Sequence, residues 1–99
     1  MIRFANNVST ALVKAIDEGT TVFDVVDASK FPVLETDDVT YCTIIDAYNA
    51  QWLEICEVQS IVGSTLTVKR GIENTTPLRF NAGSKVELRL TAEMLERAI

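Results

Sequence analysis

The sequence predicts a mainly-β fold, a small antiparallel β-barrel or sandwich of about six or seven strands. From Lys85 to Leu90, apolar and charged side chains alternate, as they do in a strand with one buried face. Leu66 and Val68 repeat this alternation one element earlier. A third observation is a pair of β-branched and aromatic segments, residues 39–46 and 52–61, separated by a short polar turn. This arrangement is typical of a hairpin.

The composition fits a single domain that spans residues 1–99. A chain of 99 residues buries roughly two-thirds of its unfolded surface, which is enough for one core. No apolar run approaches the roughly 20 residues of a membrane span, and polar residues interrupt the N-terminal apolar ones, unlike a signal peptide. We therefore expect a cytoplasmic protein, or one delivered without classical secretion. The net charge of -5 disfavours a nucleic-acid partner, because such binding depends on Lys and Arg.

The N-terminal third contains the least certain elements. Residues 1–7 predict an N-terminal arm, the alternative being a frayed end. Residues 8–16 fit either a helix or a strand, because their apolar positions satisfy both periods. Residues 17–19 form a turn in either case, and the β-branched run from Thr20 to Val26 predicts a strand.

The middle of the chain predicts a connector and then the central hairpin. Residues 27–32 form the connector, in which Phe31 must be extended because Pro32 follows it. An acidic loop comes next. Strands over 39–46 and 52–61 are joined by the turn at 47–50, and the Gly63-Ser64 turn leads into the strand that contains Leu66.

Residues 91–99 predict a short C-terminal helix. Thr91 is a suitable N-cap, and Leu90 and Leu95 occupy the positions of a hydrophobic staple. An apolar stripe is predicted on one face, formed by Met94, Leu95, Ala98 and Ile99. A helix this short needs a surface to lie on, which belongs either to its own domain or to a neighbouring subunit.

The loop from Arg70 to Gly83 is long for a compact domain, which usually indicates function or disorder. Ile72, Leu78 and Phe80 make it too apolar for a disordered segment. Either these side chains fill the end of the core, or the loop is a docking surface for another chain.

The residue types argue against an enzyme and against a metal or cofactor site. The chain has no histidine, which removes the commonest general base and metal ligand. Cys42 and Cys56 fall on the two strands of the predicted hairpin and are expected to be buried, reduced thiols. Glu54 and Glu57 are three positions apart, and an odd spacing places two residues on opposite faces of a regular strand. We therefore predict no catalytic, cofactor-binding or metal-binding residues.

Several short motifs resemble those of small tailed-bacteriophage virion proteins and of repeated β modules in phage tail fibres. The central pattern is a strand, an RG-x-E-x-T-T sequence from Arg70 to Thr76, Ala82-Gly83 and a second strand. Further similar elements are Asn6-Asn7, Leu12 to Ile16, Thr20-Thr21-Val22, Phe31-Pro32, Glu54-Ile55 and Arg89 to Glu93. The chain departs from the pattern at Asn74, where a glycine is usual, and at Pro77 and Arg79, which replace small residues.

The resemblance implies a non-enzymatic structural subunit of a phage particle, most directly a tail component at a fibre-attachment or adaptor position. Its partners would be other virion proteins and copies of itself in a trimer or ring. It would be found in the virion, and in the host cytoplasm before assembly. The arm, the 70–83 loop and the C-terminal helix would make the subunit contacts. The resemblance also favours a strand over 8–16, paired with Thr20–Val26.

Two alternatives stay open. A head-decoration or cement protein would have the same acidic, all-β character. A carbohydrate-binding module for host glycans would use aromatic platforms, for which the candidates are Trp52, Tyr48 and Tyr41.

Overall fold

A computed structural model describes residues 1–5, 7–89 and 91–98. The predicted mainly-β fold is confirmed. The described residues form six strands and one helix: β1 (Ser9–Ala11), β2 (Val22–Asp24), β3 (Thr40–Ile45), β4 (Leu53–Val62), β5 (Thr65–Ile72), β6 (Lys85–Glu87) and α1 (Ala92–Ala98). The strands make one antiparallel sheet in the order β1-β6-β3-β4-β5-β2, which curls into a half-barrel.

The two ends of this sheet meet beyond β1 and β2. Leu12 forms an antiparallel bridge with Val25, and the Val26 N–H donates to the Ala11 carbonyl at 3.0 Å. The strand predicted within residues 8–16 is therefore confirmed, but it is short and its ladder is with β6. Its predicted pairing with Thr20–Val26 is confined to this bridge. Val8, Leu12 and Ile16 all face the core, and their four-residue spacing satisfies both helical and strand periods.

The central hairpin agrees with its predicted bounds to within a residue or two. In β3 and β4, which carry the two cysteines as predicted, the register places Cys42 directly opposite Cys56. The β4–β5 pairing contains two register shifts, which mark β-bulges. The last predicted strand is shorter than expected: β6 ends at Glu87, and Leu90 lies outside the described residues.

The main core fills the concave side of the sheet. Inward-facing side chains from the strands pack there with residues from the connecting loops, among them Phe23, Phe31, Ile44, Leu66, Phe80 and Val86. The burial pattern of β5 shows the expected alternation, since Leu66 and Val68 are buried and their neighbours are not.

A second, smaller cluster covers the convex side. Tyr41 points away from the main core and packs with Ile2 and Met94. Arg97 donates to the Tyr41 hydroxyl at 2.8 Å and to the Glu57 carboxylate at 2.6 Å, and these bonds raise the pKa of the Arg97 guanidinium. The helix α1 therefore lies on its own domain. The sequence had left open whether it packs there or on a neighbouring subunit.

The N-terminal cap of α1 agrees with the sequence prediction. Thr91 is the N-cap, because its hydroxyl accepts the Met94 N–H at 3.1 Å. The predicted staple between Leu90 and Leu95 involves a residue outside the described ones, as does the place of Ile99 in the apolar stripe. Leu95 is 49% exposed, so its assignment to a buried stripe was wrong.

The predicted N-terminal arm is attached to the domain at its first three residues. Ile2 forms a parallel bridge with Val39 and is buried, and Arg3 donates to Asp38 at 2.8 Å. The Arg3 side chain holds the pKa of the Asp38 carboxyl below its usual range. Asn6, part of the predicted turn, lies outside the described residues. The alternative of a frayed end therefore does not describe residues 1–3.

Met94→Ala is expected to destabilise the protein, because its side chain is fully buried in the convex cluster. Truncating such a side chain costs about 2 kcal/mol or more in the free energy of unfolding. Leu95→Ala, the adjacent residue of the same helix, should change it by less than about 0.5 kcal/mol. Urea denaturation followed by circular dichroism measures both. Equal effects of the two substitutions would contradict the docking of α1.

Candidate functional site

A buried ion pair occupies one end of the half-barrel. Glu54 of β4 is fully buried, and the side chain of Arg70 in β5 is 5% exposed. Arg70 Nε donates to Glu54 Oε2 at 2.7 Å and Arg70 Nη2 donates to Oε1 at 2.7 Å. This bidentate geometry is the strong form of a carboxylate–guanidinium contact.

Further donors occupy the remaining acceptor positions of the Glu54 carboxylate. The Gly71 N–H donates to Oε2 and the Leu78 N–H to Oε1, each at 2.8 Å. The Cys56 thiol lies 3.5 Å from Oε2 as a weak donor. Glu54 therefore has no free lone pair with which to act as a general base, and its interactions are those of a structural anchor.

The guanidinium is fully used as well. Arg70 Nη1 donates to the carbonyls of Asp17 and Thr20 at 2.8 and 2.7 Å, and Nη2 donates to the Leu78 carbonyl at 2.6 Å. With its two bonds to Glu54, Arg70 uses all five of its N–H donors. Burial opposes its charge, but the Glu54 carboxylate outweighs burial and the pKa of Arg70 is raised. The pair joins the hairpin, the 17–20 turn and the loop after β5.

The loop after β5 begins at a residue that has to be glycine. Gly71 has a φ of 62° and lies in the bulge of β5. A Cβ on Gly71 would lie 2.6 Å from Pro77 Cδ, so both its conformation and its packing exclude a side chain. The Thr75 hydroxyl then accepts the Ile55 N–H at 3.1 Å and donates to the Ile72 carbonyl at 2.6 Å, which ties the loop to β4 and to the end of β5.

The far end of the loop returns to the core. Phe80 is 2% exposed and pairs with Ile16 through both of their backbone groups. Of the two alternatives for residues 70–83, core filling describes Phe80 and, in part, Leu78. Arg79 between them is exposed, with its Nε bonded to Glu18 at 3.1 Å.

The two cysteines are buried and free, as predicted. The hydrogen bond between the thiols, burial and the Glu54 carboxylate together raise the pKa of the Cys56 thiol. A thiolate is the nucleophilic form of cysteine, so Cys56 has the properties of an inert packing residue. Glu54 and Glu57 lie on opposite faces of β4, as predicted.

Neither a metal-ligand cluster nor a membrane-spanning helix occurs among the described residues. Within residues 1–5, 7–89 and 91–98, no three or more His, Cys, Asp or Glu side chains are grouped so that they could hold a metal ion. None of the helical segments among the described residues is long and apolar enough to cross a membrane.

The three aromatic platform candidates lie in different environments. Tyr41 is 1% exposed and belongs to the convex cluster, so its assignment as a platform was wrong. Trp52 and Tyr48 are 43% and 83% exposed at the β3–β4 turn. A cleft of about 410 Å³ lies between residues 15–20 and 79–81, and Arg79, one of its lining residues, accepts the Trp52 indole N–H through its carbonyl. Comparison with protein-family models and with curated protein sequences finds no match to this chain.

The ion pair is the feature that sequence reasoning missed, although a signal for it exists. Glu54 has the same strand parity as the inward-facing Cys56 and Val58, and Arg70 has the parity of Leu66 and Val68. A charged residue at a core-facing position must find a partner of opposite charge. Two such positions on consecutive strands therefore indicate two inward-facing charges that each need a partner.

Glu54→Gln is expected to destabilise the protein by about 3–5 kcal/mol, because it leaves a buried guanidinium without its counter-charge. The matched control is Glu18→Gln, which removes an exposed carboxylate bonded to Arg79 and should cost less than about 1 kcal/mol. Urea denaturation of both variants gives the comparison. If the two substitutions have the same effect, Glu54 is not the anchor of this end of the domain.

Gly71→Ala is expected to cost more stability than Gly63→Ala. Both glycines have a positive φ, but a Cβ at Gly63 meets nothing within 4 Å. Gly63→Ala should cost about 1–2 kcal/mol from backbone strain alone. Gly71→Ala should cost at least about 1 kcal/mol more, because the contact with Pro77 adds overpacking. Thermal unfolding of the two variants measures both losses. A larger loss for Gly63→Ala than for Gly71→Ala would contradict the prediction.

Proposed function

We propose that this protein is a non-enzymatic structural subunit of a bacteriophage particle, in the tail at a fibre-attachment or adaptor position. The observation that carries the proposal of a subunit is an apolar outer face of the sheet. Val13, Val22, Val26 and Val62 are 48%, 53%, 68% and 73% exposed. Apolar side chains grouped on one surface mark a site of contact with another molecule.

The register places these valines on one surface. Val62 pairs with Thr65, Thr65 pairs with Asp24, and the Asp24 carbonyl accepts the Val13 N–H. Residues opposite each other across a sheet share a face. Val22, two residues from Asp24, lies on the same side and pairs with Thr67. The face is rich in β-branched residues, and Asp24 lies among the valines with its carboxylate accepting the Thr65 hydroxyl at 2.6 Å. With this carboxylate hydrogen-bonded, the valines suit packing against a second copy or another virion protein.

The link to phage proteins is supported by the resemblance and by where its motifs meet. Glu54-Ile55 and Arg70-Gly71 are distant in the sequence, yet their side chains and backbone form the buried pair and its bonds. Thr75 of the same pattern bonds to Ile55. The motifs thus act as one structural unit that shapes a rigid loop. Saturation of Glu54 and burial of both thiols support a role without catalysis.

The oligomeric state tests the subunit proposal. Light scattering over a dilution series should give a defined trimer or ring, a multiple of the 10.9 kDa chain mass. Val22→Lys combined with Val62→Lys should dissociate it, because charges would be buried in the contact. Val33→Lys is the control, since Val33 is 80% exposed in the loop that follows the connector. A wild-type monomer, or an oligomer that survives the double substitution, would contradict self-association through this face.

The position in the particle needs a separate measurement. Immunogold labelling of phage particles that contain the protein should mark the tail at the fibre-attachment region. Label distributed over the capsid would instead assign the head-decoration role. Particles that never carry label would exclude a virion subunit.

A further inference from the structure

The single tryptophan of the sequence is held in a fixed orientation at the end of the central hairpin. Its indole Nε1 donates to the Arg79 carbonyl at 2.8 Å, and its backbone bonds to Asn49 and Asp46. The side chain is nevertheless 43% exposed. Trp52 therefore presents part of its ring to solvent from a rigid position, and a ligand would find it already ordered.

The turn that carries a second aromatic ring is also ordered. Asp46 Oδ2 accepts the Tyr48 N–H and Asn49 Oδ1 accepts the Gln51 N–H, each at 3.0 Å. Tyr48 is 83% exposed on this turn. Aromatic residues of this kind supply a large contact area at a low cost in conformational entropy.

Polar groups surround the two rings. Asp46 Oδ1 accepts the backbone and side-chain N–H groups of Asn81 at 3.2 and 3.1 Å. The hydrogen bonds from the Tyr48 N–H and from Asn81 outweigh the opposing effect of burial, and they lower the pKa of Asp46. Arg79, whose carbonyl fixes Trp52, also lines the cleft of about 410 Å³. That volume is within the range of about 300–1,000 Å³ typical of small-molecule sites.

We propose that this end of the domain binds a neutral sugar, with a pyranose ring packed on Trp52 and an adjoining residue in the cleft beside Arg79. A pyranose has an apolar face of C–H groups, which suits an aromatic ring, and hydroxyl groups that need donors and acceptors nearby. The cleft offers both kinds of surface: Ile16 and Phe80 are apolar, and Thr20 and Asn81 are polar.

The charges favour a neutral sugar over an acidic one. Asp17, Glu18 and Asp46 lie around the cleft and the rings, and Arg79 is already paired with Glu18. The Thr20 hydroxyl holds the pKa of Asp17 below its usual range, so that carboxylate is charged at neutral pH. A carboxylate on the ligand would be repelled.

The surroundings of Trp52 also differ from those of a protein-contact centre. The core of a protein interface is depleted of charged groups and surrounds its aromatic anchors with apolar contacts. Trp52 is instead hydrogen-bonded through its backbone to Asp46 and Asn49, and the Asp46 carboxylate is in turn bonded to Asn81. The apolar outer face described above carries the proposed subunit contacts, so the sugar site does not depend on that proposal.

The intrinsic fluorescence of Trp52 tests the site directly, because no other tryptophan contributes. The full-length protein is titrated with neutral oligosaccharides built from glucose, galactose, mannose and N-acetylglucosamine, and with polygalacturonate as the acidic probe. At least one neutral probe should give a saturable change in emission, and polygalacturonate should give none. No change with any neutral probe, or a preference for the acidic one, would overturn the proposal.

Substitutions locate the site. By calorimetry with the best neutral probe, Trp52→Ala should weaken binding by at least about tenfold. Tyr48→Ala, at a side chain too exposed to affect folding, should weaken it as well. Phe4→Ala is the matched control, since Phe4 is 42% exposed, and should leave the affinity unchanged. Unaltered affinity in both hairpin variants would exclude the sugar site. A change only in oligomeric mass would exclude it as well and would assign this surface to protein contacts.

Discussion

The end of the half-barrel depends on one buried ion pair, Glu54 with Arg70. Removing two charges from water is unfavourable, and the cost is offset only when every donor and acceptor is satisfied. Here the carboxylate accepts from the guanidinium and from two backbone N–H groups, and the guanidinium donates to three backbone carbonyls besides. The pair therefore specifies the backbone path of two loops as well as joining two strands.

That constraint explains the form of the loop after β5. The loop has to bring the Leu78 N–H and carbonyl to the pair, and the positive φ of Gly71 allows the chain to turn directly after Arg70. Phe80 then enters the core opposite Ile16. A long segment that would otherwise be mobile becomes part of the rigid domain, and it supplies the carbonyl that orients Trp52.

The same small sheet is covered on both faces. The concave side contains the main core, and the convex side is closed at one place by Ile2 and α1. The remaining outer face, around Val22 and Val62, stays open to solvent. A domain of this size has little stability to spare, and the valines left exposed on this face are the side chains that we propose contact another chain. The proposed structural role and the proposed sugar site use different side chains, and neither needs a reactive group.

Local patterns in the sequence determined the fold class, the central hairpin, the place of the cysteines on its two strands and the Thr91 cap, because period-two alternation and capping involve residues close in the chain. Only the tertiary structure decided which distant groups meet. The closure at Leu12 and Val25 and the docking of α1 on Tyr41 depend on how the sheet curls. The Glu54–Arg70 pair depends on the bulge at Gly71, which shifts the register of β5 against β4. Strand parity could have indicated that both charges face inward. Their partners were not predictable, because the register between strands is a property of the folded sheet and not of either strand alone.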